Sequence, residues 1–370
     1  MLARLHCTAL RAYRIHRHGG PEVLELQEIP RPRPRPDEVL VRVRACALNH
    51  LDLWVRNGID GHAFPLPLTP GSEICGEIEE VGEAVGRSLP GIDRGRAVVV
   101  APGVSCGVCE RCAGGRDMLC AGYGILGEHR DGGYAEYVAV PRRNALPLPT
   151  GLSFVEAAAV PLVFLTAWQM LAVRAALEPL EDVLIHAAGS GVSSAGLQIA
   201  RLLGAHRIIA TAGSEEKLER ARELGATHTI DYRQGDFVRR VREITEGKGV
   251  EVVFDHVGGE VFERSLKALA WAGRIVLCGA TADPHASLNL RAVFYKSLSI
   301  LGSTMGSLAD LHELLRYFAA GRLRAVVDRT LPFEEAPAAQ RLLESRAAFG
   351  KVVLTVGDPT EALRRPGAEE

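Results

Sequence analysis

The sequence lacks an excess of charge of either sign and lacks a long hydrophobic run. Its 43 Lys and Arg against 45 Asp and Glu leave a net charge of −2, so no whole-molecule field draws the chain to nucleic acid or to an anionic membrane. The longest apolar stretch, around Val183 to Gly213, is interrupted by His186, Gln198 and Arg201, short of the roughly 18 apolar residues that a spanning helix needs. We therefore expect no nucleic-acid partner, no membrane anchor and a small-molecule substrate.

The N-terminal segment lacks the features of a targeting signal. Met1 to His16 contains Arg but neither Ser nor an acidic residue, and no apolar core with a small-residue cleavage site follows it. With 47% hydrophobic and 24% charged residues, the composition is that of ordinary globular proteins. We expect a folded, cytoplasmic protein, and its 370 residues favour two or three domains.

The pattern of the chain changes near Leu152. The part before it is rich in Gly and Pro and has short β-type runs such as Val39 to Val43 and Ile74 to Val81, which predict an irregular, mostly β domain. After it, apolar runs alternate with helical stretches such as Glu215 to Leu224, which Ser214 is placed to cap. Repeated βα units predict a doubly wound parallel sheet with right-handed crossovers.

Four cysteines lie close together in the Gly-rich stretch GVSCGVCERCAGGRDMLC. Cys106, Cys109, Cys112 and Cys120 follow the spacing C-x2-C-x2-C-x7-C. Four thiolates at this spacing can surround one tetrahedral Zn²⁺ and leave no position for water or substrate, which predicts one structural zinc ion. Disulfides and an iron–sulfur cluster are the alternatives. Scattered further cysteines in a cytosol-like chain argue against disulfides, whereas the short spacing argues only weakly against a cluster.

A turn of small residues follows the strand Val183 to His186. Ala187 to Gly196 leads into a helix, so backbone N–H groups can approach a pyrophosphate. The next strand runs into Ala210 to Ser214 without an acidic residue for the ribose 2′-hydroxyl, which favours NADPH over NADH. Lys217, Tyr232 and Arg233 are candidate 2′-phosphate contacts, although Lys217 is equally interpreted as a solvated helix charge. The predicted cofactor-binding residues are Ala188, Gly189, Ser190, Gly191, Val192, Ser193, Gly213, Ser214, Lys217, Tyr232, His256, Gly279 and Lys351.

Motifs along nearly the whole chain resemble those of the medium-chain dehydrogenase/reductase superfamily, in the same order. They are HGGPEVLEL, ALNHLDLWVRNG, PLTPGSEICGEIEEVGEAVG, the four-cysteine stretch, DGGYAEYV, AAAVPLVFLTAW, AAGSGVSSAG, TAGSEEK and FGKVVL. The resemblance implies a GroES-like catalytic domain, interrupted by a Rossmann domain, and hydride transfer in a cleft between them. It also implies a homodimer or homotetramer, paired through edge strands of the nucleotide-binding sheet.

The catalytic-metal positions of that superfamily are changed in this chain. Its zinc-dependent alcohol dehydrogenases have a Cys at the position of Asn49, a His at that of Ser72, and a Cys or an acid near Leu162; their proton-relay hydroxyl and His fall at Leu51 and Trp54. Without a Lewis acid, the alkoxide of alcohol oxidation lacks its main stabiliser. Hydride addition to a quinone or an α,β-unsaturated carbonyl spreads the charge, so positioned hydrogen bonds can suffice.

The zinc-free branch similar to NADPH:quinone reductases supplies the expected catalytic roles. That branch also has Asn at the position of Asn49, an aromatic residue at that of Trp54 and Thr at that of Thr166. The resemblance implies that Asn49 donates to the substrate carbonyl, that Trp54 shapes the pocket and that Thr166 supports the nicotinamide carboxamide. His50 and Asp52 are candidates for a proton donor and its orienter, with bracing of the loop as the alternative for Asp52. Typical quinone reductases lack the four-cysteine stretch, so this chain combines features of two branches.

Three functions are open at this point. The leading hypothesis is an NADPH-dependent reductase of quinones or enones with one structural zinc and no standard catalytic zinc. The second is an alcohol or aldehyde dehydrogenase whose atypical zinc site uses His50 or Asp52 with Cys46, His62 or Cys75. If that stretch is extended, however, Cys46 and Asp52 lie roughly 20 Å apart. The third is a crystallin-type NADPH-binding protein with little turnover.

The domain boundaries follow from the same patterns. We expect a first catalytic segment at residues 10–157 with the cysteine lobe at 103–122, a Rossmann domain at 158–296, and a return to the catalytic domain at 297–357, beginning with a strand at Leu298 to Leu301. Residues 1–9 and 358–370 are predicted to be disordered tails.

Overall fold

The structure is a computed structural model that describes residues 9–85 and 93–366. These residues form two compact units. Unit 1 contains the described residues up to Leu162, together with Leu311–Ala319 and those from Val327 onward. Unit 2 contains Val163–Asp310 and Ala320–Val326. The chain thus leaves unit 1 and returns to it later than the predicted boundaries at 157 and 296.

The first part of unit 1 is mostly β. Its strands are β1 (Ala9–Ile15), β2 (Leu24–Pro30), β3 (Glu38–Ala47), β4 (Glu73–Val81), β5 (Ala97–Val100), β6 (Gly103–Val104), β7 (Gly124–Ile125), β8 (Tyr137–Pro141) and β9 (Ala145–Pro147). Its helices are α1 (His50–Asn57), α2 (Glu110–Ala113) and α3 (Phe154–Ala158), and α4 (Pro161–Trp168) continues into unit 2. Short 3-10 turns lie at Pro21–Val23, Asp117–Leu119 and Arg142–Asn144.

Unit 2 alternates strands and helices, and the chain then returns to unit 1. The strands of unit 2 are β10 (Val183–Ile185), β11 (Ile208–Ala212), β12 (His228–Asp231), β13 (Val250–Asp255), β14 (Leu269–Leu277) and β15 (Ser299–Gly302). Its helices are α5 (Gly191–Leu202), α6 (Glu215–Glu223), α7 (Phe237–Ile244), α8 (Gly259–Ala268) and α9 (Leu290–Tyr295), and α10 (Leu308–Ala319) leads back. The return contains β16 (Val327–Pro332), α11 (Ala336–Glu344), β17 (Lys351–Thr355) and α12 (Pro359–Leu363). A π-helical turn at Gln169–Arg174 and a 3-10 turn at Phe333–Glu335 complete the elements.

The main sheet of unit 1 joins the two ends of the chain. Its strand order is β16-β17-β3-β4-β5-β9, and β8 also pairs with β3. In the register of β3, Ala47 lies opposite Val353 on one side and opposite Glu73 on the other. This pairing brings the segment after β3 close to the start of β17 and the start of β4, which positions the candidate catalytic residues.

The sheet of unit 2 is parallel throughout, with the order β12-β11-β10-β13-β14-β15. The order reverses between β10 and β13, and in such sheets ligands bind beyond the carboxyl ends of the strands at that point. Both predicted architectures, the doubly wound sheet and the mostly β domain, are confirmed. Among the described residues, no helix is both long and apolar enough to cross a bilayer.

Two predicted segments differ from the structure. The strand expected to begin the return is β15, which pairs with β14 from Arg274 opposite Ser299, because its backbone completes the edge of the parallel sheet. The predicted C-terminal tail contains α12, where Asp358 accepts a hydrogen bond from the Thr360 N–H and caps the helix. Residues 1–8 of the predicted N-terminal tail lie outside the described residues.

Candidate active site and metal lobe

The four-cysteine stretch folds into a compact loop in unit 1. The short helix α2 and a 3-10 turn position Cys112 and Cys120, and all four sulfur atoms lie within 4.8 Å of one another. Cys112 Sγ is 3.6 Å from Cys109 Sγ and 3.8 Å from Cys106 Sγ. Zn–S bonds of about 2.3 Å in a tetrahedron separate the sulfurs by about 3.8 Å. The donor set and its spacing therefore fit one zinc ion.

Backbone groups favour the thiolate form of one cysteine in this lobe, Cys106. The N–H groups of Val108 and Cys109 lower the pKa of the Cys106 thiol to about 6. The thiolate, which is the form that ligates a metal, is thus favoured at neutral pH. The sulfur separations are far above the roughly 2.05 Å of a disulfide, and all four cysteines are free.

Asn49 marks the start of α1, and Asp52 holds it there. The Asn49 N–H donates to Asp52 Oδ2 at 2.7 Å, and the Gly71 N–H donates to Oδ1 of the same carboxylate at 3.1 Å. Asp52 is fully buried, and this burial raises the pKa of its carboxyl to about 7. The carboxyl braces two backbone segments, as the alternative interpretation of Asp52 expected. The spacing Asn-x-x-Asp is a capping pattern that could have predicted this contact.

A buried ion pair lies beside Asn49. Lys351 Nζ is 2.7 Å from Glu73 Oε2 and donates to Asn49 Oδ1 at 2.6 Å and to the Leu48 carbonyl. Asn49 Nδ2 donates to Glu73 Oε2 at 3.1 Å, and the Leu162 N–H donates to Glu73 Oε1 at 2.7 Å. Lys351 and Glu73 are 3% and 0% exposed. We call Asn49, Glu73 and Lys351 the Asn49 cluster; Glu73 was not predicted, and its position directly after Ser72 was the available signal.

The positions expected to differ from a zinc site lie next to this cluster. Ser72 is buried, and its hydroxyl has no hydrogen-bond partner among the described residues. Leu162 contributes its backbone N–H to Glu73. Cys46 and Cys75 lie buried on adjacent strands, and burial raises the pKa of both thiols. Within residues 9–85 and 93–366, neither thiol joins a cluster of three metal-ligating side chains.

The stretch from Cys46 to Asp52 is not extended. β3 ends at Ala47 and α1 begins at His50, so the estimate of roughly 20 Å, which assumed extended backbone, does not apply. The Asp52 charge is close enough to raise the pKa of the Cys46 thiol. His50 and Trp54 lie one helical turn apart on α1 with ring centroids 6.5 Å apart. Burial, together with the charges of Arg346 and Lys351, lowers the pKa of His50, so its imidazole is neutral at pH 7.

In unit 2, the turn after β10 has the geometry of an anion-binding site. Ser190 caps α5 by accepting a hydrogen bond from the Ser193 N–H at 3.1 Å. His256 Nε2 lies 2.9 Å from Ser190 Oγ and 3.1 Å from Ser193 Oγ. The Lys217 side chain lies against Gly189, where a Cβ would meet its Nζ at 3.4 Å. This cradle fits a dinucleotide phosphate at the start of a helix.

The predicted cofactor residues of unit 2 lie near the ends of its strands, whereas Lys351 lies in β17 of unit 1. Gly213 follows β11, and a Cβ there would lie 2.5 Å from the Tyr232 hydroxyl. Ser214 caps α6 and accepts a hydrogen bond from the Lys217 N–H. Gly279 follows β14, and Thr166 is buried in α4. Ala188, Gly191 and Val192 complete the turn before and within the start of α5.

His186 was not predicted as a functional residue, but it lies between β10 and the nucleotide turn, and its imidazole is in hydrogen-bond range of two neighbouring hydroxyls. His186 Nδ1 lies 3.2 Å from Thr211 Oγ1 and Nε2 lies 2.8 Å from Ser265 Oγ. Complete burial lowers the pKa of His186 to about 3, so it is neutral. The only sequence signal was its position between β10 and the small-residue turn.

Comparisons with known proteins agree with this architecture. The family model described as the alcohol dehydrogenase GroES-like domain matches residues 35–150, and the one described as zinc-binding dehydrogenase matches residues 191–320. An NAD-dependent alcohol dehydrogenase of Saccharolobus solfataricus is 34% identical over 354 residues, covering 93% of this chain and 99% of that protein. A quinone oxidoreductase of Pseudomonas aeruginosa is 34% identical over 349 residues, covering 91% and 97%.

A solved structure is also similar over nearly the whole chain. The crystal structure of an NAD-dependent alcohol dehydrogenase aligns with a TM-score of 0.89 at 51% identity and covers 94% of this chain and 100% of that one. The chain therefore belongs to the medium-chain dehydrogenase/reductase superfamily and is an NAD(P)-dependent oxidoreductase.

Proposed function

We propose that the chain transfers a hydride from NADPH to a quinone or an α,β-unsaturated carbonyl, with one zinc in the cysteine lobe and no metal at Asn49. The observation that carries this proposal is the Lys351 ammonium, which is buried against Glu73 and Asn49. A fixed cation already neutralises the Glu73 carboxylate, so this cluster needs no metal ion to compensate its buried charge.

The Asn49 amide is the group that meets the substrate oxygen in this proposal. Lys351 donates to its Oδ1 and so polarises the amide, which strengthens the hydrogen bonds that Nδ2 donates. Nδ2 carries two N–H groups, and Glu73 takes one of them. The second donates to the carbonyl of the substrate.

NADPH supplies the hydride when bound. The hydride forms a new bond to an electrophilic atom of the conjugated system, and the displaced π electrons move onto the carbonyl oxygen. The Asn49 N–H is pre-positioned to stabilise the negative charge that develops there. The resulting enolate or phenolate takes a proton to give the product. Protonated His50 can donate that proton, and since its pKa is lowered, its contribution grows as the pH falls.

The choice of NADPH rests on the end of β11. Ala212 and Gly213 offer no carboxylate to a ribose 2′-hydroxyl, and Lys217 lies beside Gly189. The relatives named NAD-dependent support the opposite choice, so the preference is measured directly by comparing kcat/KM for NADPH and NADH.

The experiment is a substrate panel on the full-length chain. NADPH oxidation is followed with quinones and enones, and NAD(P)⁺ reduction with primary and secondary alcohols, before and after a mild chelator. We expect quinone or enone reduction that the chelator leaves unchanged and that Asn49→Ala lowers by at least about tenfold, the value of one hydrogen bond to a charged group. Faster, chelator-sensitive alcohol oxidation would overturn the proposal, as would cofactor binding without turnover of any carbonyl.

Alcohol oxidation is the second candidate function. It is supported by the names of the Saccharolobus solfataricus protein and of the solved structure, since the latter shares 51% identity with this chain. It requires a metal or another electrophile at the substrate oxygen, and the panel above separates it from the first candidate.

We also propose that two copies of the chain pair through the β15 edge of unit 2. Large apolar side chains are exposed near this edge, among them Trp271, Leu290, Phe294 and Tyr295 at 63–71% and Ile300 at 38%. An apolar, unpaired edge strand is a surface that proteins cover. We expect the wild-type mass by light scattering to be a multiple of 39.8 kDa and Ile300→Lys to give the single-chain mass; a wild-type monomer would exclude this pairing.

A further inference from the structure

A second group of metal-ligating side chains lies in unit 1, outside the cysteine lobe and the Asn49 cluster. His62, Glu128 and His129 each present one ligand atom, and the three atoms lie within 4.8 Å of one another. In the described part of the chain, the cysteine lobe is the one other group of three or more such side chains that meets this distance. Nothing in the reaction derived above uses these residues.

Two tight turns build this group. In the first, the His62 N–H donates to the Ile59 carbonyl at 3.0 Å. In the second, the His129 N–H donates to the Ile125 carbonyl at 2.9 Å, and Gly127, with φ of 79°, lets the chain reverse. Because both turns are closed by backbone hydrogen bonds, the three side chains converge without requiring a long loop to become ordered.

The distances place the carboxylate between the two imidazoles but out of hydrogen-bond range of either. His62 Nε2 is 3.8 Å from Glu128 Oε1, and His129 Nδ1 is 3.7 Å from Glu128 Oε2. Ligands at about 2.0–2.2 Å from a tetrahedral zinc ion lie about 3.4 Å apart. The gaps therefore exceed those of a formed site by a few tenths of an ångström, which side-chain rotation can close.

A backbone hydrogen bond also orients one of the three ligand atoms. The Ile125 N–H donates to His129 Nδ1 at 3.2 Å, so this nitrogen is in the unprotonated form that ligates metals. The same nitrogen lies 3.7 Å from Glu128 Oε2. Glu128 is 13% exposed, whereas His62 and His129 are 40% and 43% exposed, so a metal ion can reach the carboxylate between the rings.

We propose that His62, Glu128 and His129 form an accessory site for a divalent transition-metal ion such as Zn²⁺, with the remaining coordination positions open to water. Two imidazoles and one carboxylate are a ligand set of zinc sites that keep an open position, and imidazole selects transition metals over Mg²⁺ or Ca²⁺. On binding, the ion replaces the Ile125 N–H at His129 Nδ1, and the Phe64 ring, 4.4 Å from the His62 ring, supports the latter from one side.

This site changes how a metal count is interpreted. Two zinc ions per chain would arise from the cysteine lobe and the His62 site together, with no metal at Asn49. A second zinc is therefore not by itself support for alcohol dehydrogenase chemistry.

The test is equilibrium dialysis of the full-length, zinc-loaded chain against micromolar free Zn²⁺, followed by elemental analysis. We expect two zinc ions per chain in the wild type and one in His62→Ala, Glu128→Gln and His129→Ala. The matched control is His312→Ala, which removes an exposed histidine of unit 1 and is expected to keep two. Circular dichroism of each variant checks that the turns fold, and His62→Ala, in an exposed turn, is the variant least able to disturb the fold.

Cobalt substitution identifies the ligands. Co²⁺ bound to thiolates shows sulfur-to-cobalt charge-transfer absorption, whereas Co²⁺ bound to imidazole and carboxylate shows only the weaker visible bands. We expect a second Co²⁺ without added charge-transfer intensity, lost in His62→Ala. One zinc per wild-type chain, a second ion that needs millimolar metal, or a second ion that survives His62→Ala would each overturn the proposal.

Discussion

The cysteine lobe and the Asn49 cluster, both in unit 1, compensate negative charge in opposite ways. The lobe gathers four thiols from one short loop around a space that fits an ion taken from solution. The Asn49 cluster carries its own cation, the Lys351 ammonium, and its members come from β17, the start of β4 and the residue before α1. The charge of the cysteine lobe is therefore compensated only when metal is supplied, whereas the charge of the Asn49 cluster is compensated as soon as the chain folds.

The difference shows which sites a sequence can reveal. The lobe was predictable because its ligands fall within 15 residues of chain, from Cys106 to Cys120, and four thiolates at this spacing can surround one tetrahedral ion. Lys351 and Asn49 are 302 residues apart and meet only because β17 pairs with β3, a register that no local pattern encodes. Lys351 was predicted to bind the cofactor, and in the structure its ammonium contacts Glu73, Asn49 and the Leu48 carbonyl.

The largest expected effect comes from removing the built-in cation. Lys351→Met leaves the Glu73 carboxylate buried without a counter-charge, and breaking such a pair costs about 3–5 kcal/mol of unfolding free energy. The double variant Glu73→Gln/Lys351→Met has no unpaired charge and should recover most of that loss in urea unfolding. It should not recover kcat, since the Asn49 amide still lacks the Lys351 donor.

The control for this pair is Lys248→Met, an exposed lysine of unit 2, which should leave both measurements unchanged. Equal stability of Lys351→Met and the wild type would contradict the buried ion pair. Full recovery of kcat in the double variant would remove Lys351 from the reaction.

The next effect concerns the cation that comes from solution. Cys112→Ser removes a thiol that lies 3.8 Å and 3.6 Å from two others and should eliminate zinc from the lobe. Bound zinc contributes about 3 kcal/mol to stability when the free zinc concentration is about 100 times the Kd. The variant should therefore unfold at a lower temperature than the wild type. The chelated wild type should behave like the variant, while Cys278→Ser, outside the lobe, should keep its zinc. Undiminished zinc in Cys112→Ser would show that the lobe is not the site.

A smaller effect distinguishes Lys217 from Lys351, which were both predicted to bind the cofactor. Lys217 lies against Gly189 at the nucleotide turn, whereas Lys351 is enclosed in unit 1. Lys217→Ala should raise KM for NADPH about tenfold and leave that for NADH unchanged, because a charged hydrogen bond to a phosphate contributes about 1.5 kcal/mol. Lys248→Ala is the matched control in the same unit. Equal loss of both cofactors would mean that Lys217 contacts a part they share.

How far the sequence predicts the fold also depends on how far apart along the chain the interacting residues lie. The cap of α6 at Ser214 followed from local signals, as did the alternation of strands and helices. The sheet to which β15 belongs could not be predicted from local signals, because an edge strand can complete either sheet. Its pairing with β14 decides the matter. The support of the nucleotide turn by His186 likewise depends on Ser265, far along the chain.

The last effect depends on pH and tests the buried Asp52 carboxyl, which accepts hydrogen bonds from the Asn49 and Gly71 N–H groups. Its folded pKa is about 7 against an ordinary value of 3.8, so folding favours the protonated carboxyl. This contribution is complete below about pH 4 and is lost as the pH rises to about 7, with a slope of at most about 1.4 kcal/mol per pH unit. Asp52→Asn carries no titrating group, so its unfolding free energy should fall less between pH 4 and 7 than that of the wild type. Urea unfolding at several pH values measures the difference, with the exposed Asp60→Asn as control. A wild-type curve parallel to that of Asp52→Asn would show that Asp52 ionises normally, and the buried negative charge near Lys351 would then be larger than the structure implies.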